Sequence, residues 1–332
     1  MSQDTLSDVL RTVRLRGAVF FYVSGGHDWA AESPASQDFA GAVMPGAEHV
    51  MQYHAIIDGH CWAAVIGEPP VKLGVGDIVL FPHGDAHVLS SAPGMRAEPS
   101  LAWFYEAKID RLPIRIAYEG TSGPSLSPPA TRGLATIACG FLSCDVRPFN
   151  PLIAALPRLL HLRAADGGGW ITRFLQQTIS ESQANRPGSE AMLARMSEML
   201  FVDAVRRYVE GLPPDGMGWL AGLRDRFVGR ALALLHERPA EEWTIDELGR
   251  QVGLSRSALH ERFVQFLGQP PMQYLAQWRM QIAAGLLRGS NANVATIAQE
   301  VGYDSEAAFA RAFKRLVGQP PATWRRTQAE QT

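Results

Sequence analysis

The sequence predicts a multidomain α and β protein. A strand-rich N-terminal barrel with helices after it is followed by an all-α C-terminal domain of two helix-turn-helix units. Three observations carry this prediction. Short apolar and aromatic runs, separated by Gly, Pro and Asp, fill the chain as far as Cys139. From Pro151 the apolar residues recur at helical spacing. Near the C-terminus one helix-turn-helix pattern occurs twice.

The strands are expected at 18–23, 50–57, 61–66, 78–81, 100–105 and 134–139. Several short strands at this spacing make a sandwich or small barrel. Residues 113–130 have little periodic apolar content and read as loop. Helices are expected at 152–162, 170–183 and 189–210. In the last of these Met192, Met196, Met199, Leu200, Val202 and Val205 form a stripe wider than a surface helix needs. It is either packing on the chain's own barrel or a homodimer seam. Residues 211–218 are rich in Pro and Gly and read as a linker. The expected division is therefore 1–150 strand-rich barrel, 151–211 helical and a candidate dimerisation segment, 212–224 linker, and 225–326 the all-α domain with the two helix-turn-helix units.

The repeat is the most informative feature. One copy spans 243–263 and the other 293–313, and both run on into Gly-Gln-Pro-Pro, at 268–271 and 318–321. Val252-Gly253 recurs as Val301-Gly302 and Phe263 as Phe313. Ile245 and Leu248, and again Val294 and Ile297, share one face of a short helix. A Gly then permits a left-handed turn. Ser255, and Asp304 or Ser305, stand where the next helix needs its N-cap. Leu259, Phe263 and Phe266, and likewise Phe309, Ala312, Phe313 and Leu316, face inward. Arg256, Ser257, His260 and Glu261 face outward from the first unit, and Glu306, Ala307, Ala310, Arg311 and Lys314 from the second. Such faces meet base edges and phosphates, so tandem units suggest reading of two successive major-groove segments of double-stranded DNA.

Composition narrows the class. The 332 residues are 46% hydrophobic, enough for two buried cores, with no apolar run of membrane-spanning length and an N-terminus unlike a signal peptide. Three cysteines make no disulfide framework, which fits a reducing cytoplasm. The net charge of −2 hides a division: residues 226–326 balance at +4 and the remainder at −6. A basic segment on an acidic body fits nucleic-acid binding at one end.

Residues 225–326, above all the stretch 302–315, resemble the DNA-binding domain of AraC/XylS-type transcription regulators. In that family a helix corresponding to 277–287 holds two recognition helices about one DNA turn apart. The resemblance implies that the outward residues named above meet the groove. With alanines at 307 and 310, base reading by the second unit is lean and centres on Arg311. It further implies a small-molecule effector, RNA polymerase as a partner, a homodimer, and activation of transcription.

The barrel region holds a second resemblance. Gly76, Pro82, Gly84 and His87 are spaced as in the second cupin motif, whose His is a metal ligand in metal-binding cupins. The first motif is poor: Glu48, His49 and His54 lack its spacing. A cupin-like barrel is therefore expected. His54, His87 and Cys139 are its candidate metal ligands, a set that suits zinc. The alternative is a metal-free pocket lined by Trp62, Trp103 and Tyr105. Two functions compete: a ligand-responsive transcription regulator without enzyme activity, and a metal-dependent cupin enzyme with a helical appendage. A helical interaction module without a DNA role is disfavoured by the outward Arg residues. The missing first motif favours the regulator, and no nucleophile elbow, phosphate loop or zinc-protease motif occurs.

Overall fold

The computed structural model describes residues 4–106, 114–121, 123–126, 134–167, 173–174, 176–178, 180–181, 186–213 and 215–330. In the first half of the chain these form α1 (Thr5–Thr12), β1 (Arg16–Gly25), β2 (Ala30–Ser33), α2 (Ala40–Val43), β3 (His49–Gly59), β4 (Cys61–Val65), β5 (Val71–Leu73), β6 (Ile78–Phe81), β7 (His87–Ser90), α3 (Leu101–Glu106), β8 (Ile114–Tyr118) and β9 (Ala135–Cys144). Then follow α4 (Pro151–Ala155), β10 (Leu160–Leu162), α5 (Ser189–Gly211), α6 (Trp219–Arg224), α7 (Arg226–Glu237), α8 (Ile245–Val252), α9 (Arg256–Leu267), α10 (Pro271–Gly289), α11 (Val294–Glu300), α12 (Glu306–Val317) and α13 (Pro321–Glu330).

The chain forms two compact units. One comprises Leu15–Cys144 and Leu156–Glu210, the other Met1–Arg14, Asp145–Ala155 and Gly211–Thr332. The N-terminal helix and the stretch after β9 thus belong with the C-terminal helices, a grouping the expected segments did not include.

The first unit is a cupin-like β structure of two sheets. One has the order β10-β6-β3-β9-β1-β8 and the other β2-β7-β4-β5. Their inward residues share one core, among them Phe21, Ile56, Phe81, Ile137 and Phe141 from the larger sheet and Val65, Leu73 and Leu89 from the smaller. Period-two alternation on β3 sends Gln52, His54 and Ile56 to one face. Pairing with β9 sets His54 opposite Cys139. On the second sheet Ser33 and Val65 flank His87. The cupin-motif glycines have physical work to do. Gly84 has φ +69°, and a Cβ there would stand 2.7 Å from the Val50 carbonyl oxygen.

Three expected elements are corrected. Residues 100–105 form a helix, α3, not a strand: a short apolar run cannot be assigned by periodicity alone, and Phe104 stacks on Phe39 at 4.2 Å between ring centroids. The helix expected over 152–162 ends at Ala155, before Pro157, which has no N–H to continue it, and the chain returns as strand β10 against β6. Part of the expected loop 113–130 is strand β8, parallel to β1. Half of the helix expected over 170–183 lies outside the described residues; the described ones, 173–174, 176–178 and 180–181, are helical.

Helix α5 packs on its own unit. Leu193, Met196, Leu200, Phe201, Ala204 and Val205 are buried, and the Tyr53 hydroxyl lies 2.7 Å from Ser197 Oγ. A Cβ at Gly17 of β1 would come within 2.6 Å of the Ala194 carbonyl, so only Gly admits the helix this close. Met192 and Met199, at 52% and 57% exposed, point away.

In the second unit the sequence repeat becomes a structural one. The second helices of the two units, α9 and α12, each end at a left-handed Gly, Gly268 (φ 70°) and Gly318 (φ 90°). Pro271 and Pro321 then open the next helix, where a missing N–H costs nothing. This accounts for the repeated Gly-Gln-Pro-Pro. Phe309, Phe313, Met280, Ile297 and Trp324 form one apolar cluster around the end of α10.

Candidate nucleic-acid interface and barrel pocket

Each helix-turn-helix is set by three local devices. Thr244 and Asn293 cap the first helices, accepting from the N–H groups of Glu247 (3.1 Å) and Thr296 (2.7 Å). Gly253 (φ 84°) and Gly302 (φ 77°) make the left-handed turns. Ser255 and Ser305 cap the second helices, accepting from Ala258 and Ala308 N–H at 3.2 Å each. Of the two cap candidates in the second unit, Ser305 is the one used. Leu259, Phe263, Phe309 and Phe313 are fully buried. On the outer faces Arg256, Ser257, His260, Glu261, Glu306, Ala307, Arg311 and Lys314 are exposed and Ala310 is half-buried. Arg256 lies 3.6 Å from Asp246 across two exposed side chains, a contact worth little in water.

Two positioning residues escaped sequence reading. Arg279, on connecting helix α10, donates to three backbone carbonyls: Pro239 (2.7 Å), Glu241 (2.7 Å) and Gly302 (3.0 Å). It ties the lead-in of the first unit to the turn of the second, and one Arg inside an apolar helix gave no sign of this. Arg262 of α9 grips Asp225, with Nη2 to Oδ2 at 2.5 Å, while Asp225 caps α7 through the N–H groups of Phe227 and Val228. Burial acts to raise the Asp225 carboxyl, but the Arg262 and backbone bonds outweigh it and hold it below the usual range. The cap position just before α7 was the available signal.

The first unit contains a pocket with about 750 Å³ of empty space, part of it open to solvent. Phe21, Leu89, Phe104, Ile116, Tyr118 and Phe141 supply apolar wall, and Gln52, His54, His87 and Cys139 a polar end. Among the described residues no Lys or Arg lines it; Glu32, one of its lining residues, is held by Arg96 in two bonds of 2.7 Å each. The expected lining differs. Trp62 lines a separate groove with Pro70 and Met95. Tyr105 is 62% exposed and its hydroxyl donates to the Asp38 carbonyl. The side chain of Trp103 lies outside the described residues.

His54, His87 and Cys139 are brought together, as the sequence suggested. His54 Nδ1 lies 2.9 Å from Cys139 Sγ, and His54 Nε2 lies 2.9 Å from His87 Nε2. His87 Nδ1 lies 2.8 Å from the Asp85 carbonyl, which can only accept. That fixes the whole chain of protons: His87 Nδ1–H donates to Asp85, His54 Nε2–H donates to His87 Nε2, and the Cys139 thiol donates to His54 Nδ1. All three groups are neutral. Burial pushes His87 down to about 4 and, with His87 beside it, His54 well below the ordinary imidazole range. Burial also drives the Cys139 thiol well up. This arrangement does not fit a zinc ion. His54 turns opposite ring nitrogens to its two partners, so the donors do not converge on one point. Among the described residues no group of three His, Cys, Asp or Glu could hold a metal ion. His49, at the start of β3, bonds the Pro82 carbonyl (2.6 Å), and His83, in the turn after β6, bonds that of Leu156 (2.9 Å).

A cupin family model matches residues 4–210 and a helix-turn-helix domain model residues 248–327. A Streptomyces lividans protein described as an AraC-like transcription regulator is 31% identical over 97% of this chain and 98% of its own. The HTH-type transcriptional regulator AlkR of Acinetobacter baylyi is 30% identical over 97% of this chain and 99% of its own. The RCS-specific HTH-type transcriptional activator RclR of Escherichia coli is 25% identical over 97% of each.

Proposed function

Because the chain belongs to the AraC-type transcription regulators that carry an N-terminal cupin domain, we propose that it regulates transcription by reading two successive major-groove segments under control of a small effector held in the cupin pocket. The observation that carries this is the doubled geometry. Two helix-turn-helix units share cap, turn and core and expose Arg256, Ser257, His260 and Glu261 on one, and Glu306, Ala307, Ala310, Arg311 and Lys314 on the other. The relatives are named as regulators, one as an activator, which supports activation through RNA polymerase and a non-enzymatic role. No described helix is long and apolar enough to cross a membrane. A cytoplasmic homodimer, with Met192 and Met199 in its seam, completes the reading.

The effector is an uncharged, largely apolar molecule. Among the described residues its pocket offers aromatic and aliphatic wall, no Lys or Arg, and a polar end whose His54, His87 and Cys139 already satisfy one another. A metal-dependent role has less support, since the same chain of bonds occupies the donors a metal needs.

DNA fragments selected by the purified full chain from a random pool test the first part. Footprinting is expected to show two protected segments about one helical turn apart per subunit; a single protected segment overturns it. Thermal shifts with 1-decanol, decanoate and decylamine test the pocket. Stabilisation by the alcohol alone supports it, and equal or stronger stabilisation by the acid or the amine refutes it.

A further inference from the structure

Within the unit that holds the DNA-binding helices, the stretch after β9 clasps one face of connecting helix α10. Tyr274, Gln281 and Arg288 lie seven residues apart, and that spacing keeps them on one side of a helix with a drift of about 20° per step. Each meets the stretch 145–150. Phe149 packs edge-on against Tyr274, with centroids 5.4 Å apart, and its N–H donates to Gln281 Oε1 at 2.9 Å. Arg288 Nη1 donates to Asp145 Oδ2 at 2.5 Å, with both side chains only 8% exposed.

The clasp is itself braced. Arg14 Nε and Nη2 bond the two Asp145 oxygens at 2.8 and 3.0 Å. The Asp145 N–H donates to the Val13 carbonyl at 2.8 Å. Asn150 Nδ2 donates to the Asp145 carbonyl at 2.8 Å, and Asn150 Oδ1 accepts from Leu152 and Ile153 N–H. On its far side Arg288 stands over the Trp324 ring, at 6.0 Å, in the apolar cluster of the second helix-turn-helix. A buried Arg–carboxylate pair braced in this way is directional and costly to break from one side.

The covalent chain adds the link to the pocket. Cys139, Gly140 and Phe141 line the pocket on β9, and β9 ends at Cys144. The next residue is Asp145. We propose that Asp145 is the positioning residue through which the pocket-lining strand sets the pose of the connecting helix, and hence of the second recognition unit. A change along β9 reaches Asp145 through the backbone, and Asp145 holds Arg288. This rests on the barrel being the sensing part, but not on the identity of any effector.

Hydrogen exchange on the full chain, without ligand, tests the coupling. Phe141→Leu removes pocket wall on β9, together with its ring contacts to Phe21 and Phe39, all within the barrel unit. In the otherwise native chain it is expected to speed exchange across 275–288 by about threefold or more, the size of a modest coupling energy. With Asp145→Asn, which keeps the shape but drops the charge, the same Phe141→Leu change is expected to leave exchange across 275–288 unaltered. Arg288→Lys, which keeps a cation, is expected to restore part of the coupling that Arg288→Gln removes. Propagation that is equal with Asp and Asn at 145, or absent from both, overturns the proposal. Should Asp145→Asn fail to fold, the Arg288→Gln and Arg288→Lys pair reads the same bond from the helix side, and equal propagation in those two variants overturns it.

Discussion

The two helix-turn-helix units share a sequence pattern but are held by different surroundings. Around the first, a buried polar chain links Trp219 Nε1–H to the Tyr274 hydroxyl (2.9 Å) and that hydroxyl to His236 Nε2 (2.8 Å), while the more exposed Arg262 grips Asp225. Around the second an apolar cluster runs from Met280 and Ile297 to Phe309, Phe313 and Trp324, with the buried Arg288–Asp145 pair only at its edge, over Trp324. The turns differ too. A Cβ at Gly253 would meet nothing within 4 Å, whereas one at Gly302 would stand 2.4 Å from the Ala240 carbonyl oxygen. Duplication preserved the caps, the positive-φ turn and the central Phe, because each is needed for the motif itself. The surroundings were free to diverge.

The largest expected effect tests whether the halves are separable. Phe263 and Phe313 are both fully buried. Phe263→Ala and Phe313→Ala should each cost about 3–5 kcal/mol through lost burial and a cavity. Exchange measured by segment should rise in α9 for the first and in α12 for the second. If Phe313→Ala loosens α9 as much as α12, the two halves are one cooperative body and the comparison fails.

The turn glycines come next. Gly253→Ala should cost about 1–2 kcal/mol, the left-handed penalty alone. Gly302→Ala carries the same penalty and a collision with backbone, so about 3 kcal/mol is expected. Denaturant unfolding of the two variants side by side decides; equal midpoints would mean that the Ala240 stretch yields freely.

Acid should separate the halves at a smaller magnitude. Burial pushes His236 from 6.5 down to about 3. The folded unit therefore keeps this imidazole neutral where the unfolded chain protonates it. The contribution is whole above about pH 6.5 and is lost progressively as pH falls toward about 3, amounting to about 2 kcal/mol by about pH 5. No histidine belongs to the apolar cluster of the second half. Exchange in α7 is expected to accelerate between about pH 6.5 and 5 more than in α12, and His236→Gln should abolish the difference. Parallel acceleration in both helices, unchanged by that substitution, would refute it.

What could be read from the sequence follows the same division between motif and surroundings. Caps, turn glycines, inward Phe residues and the outward faces are local, so position within the repeat located them. His54, His87 and Cys139 could be grouped because strand alternation and one cupin spacing are also local. Which ring nitrogen of His54 faces which partner depends on two sheets meeting, and that turned an expected ligand set into a closed chain of hydrogen bonds. Helix α3 was mistaken for a strand because its six residues carry no decisive period. Arg279 and Asp145 were invisible as positioning residues, since the partners of their side chains lie 23 or more residues away in sequence.

The smallest effect concerns the two recognition faces themselves. Both Arg256 and Arg311 are exposed and neither belongs to a buried stripe, so alanine at either position should leave folding unchanged. Their contributions to DNA binding should differ. Arg311 shares its face with Ala307 and Ala310, which carry no polar group to share the work, so Arg311→Ala should weaken binding to the selected fragment by about 2 kcal/mol. Arg256 has Ser257 and His260 beside it and must give up the 3.6 Å contact with Asp246 to reach DNA, so Arg256→Ala should weaken binding by about 1 kcal/mol. Titrations at one fixed salt concentration measure both. A salt series then assigns the kind of contact. A slope reduced by about one unit marks a phosphate contact, whereas an unchanged slope with relaxed sequence preference marks a base contact. Should Arg256→Ala prove the more damaging, the first unit is the main reader and the alanines at 307 and 310 mark the second as an anchor.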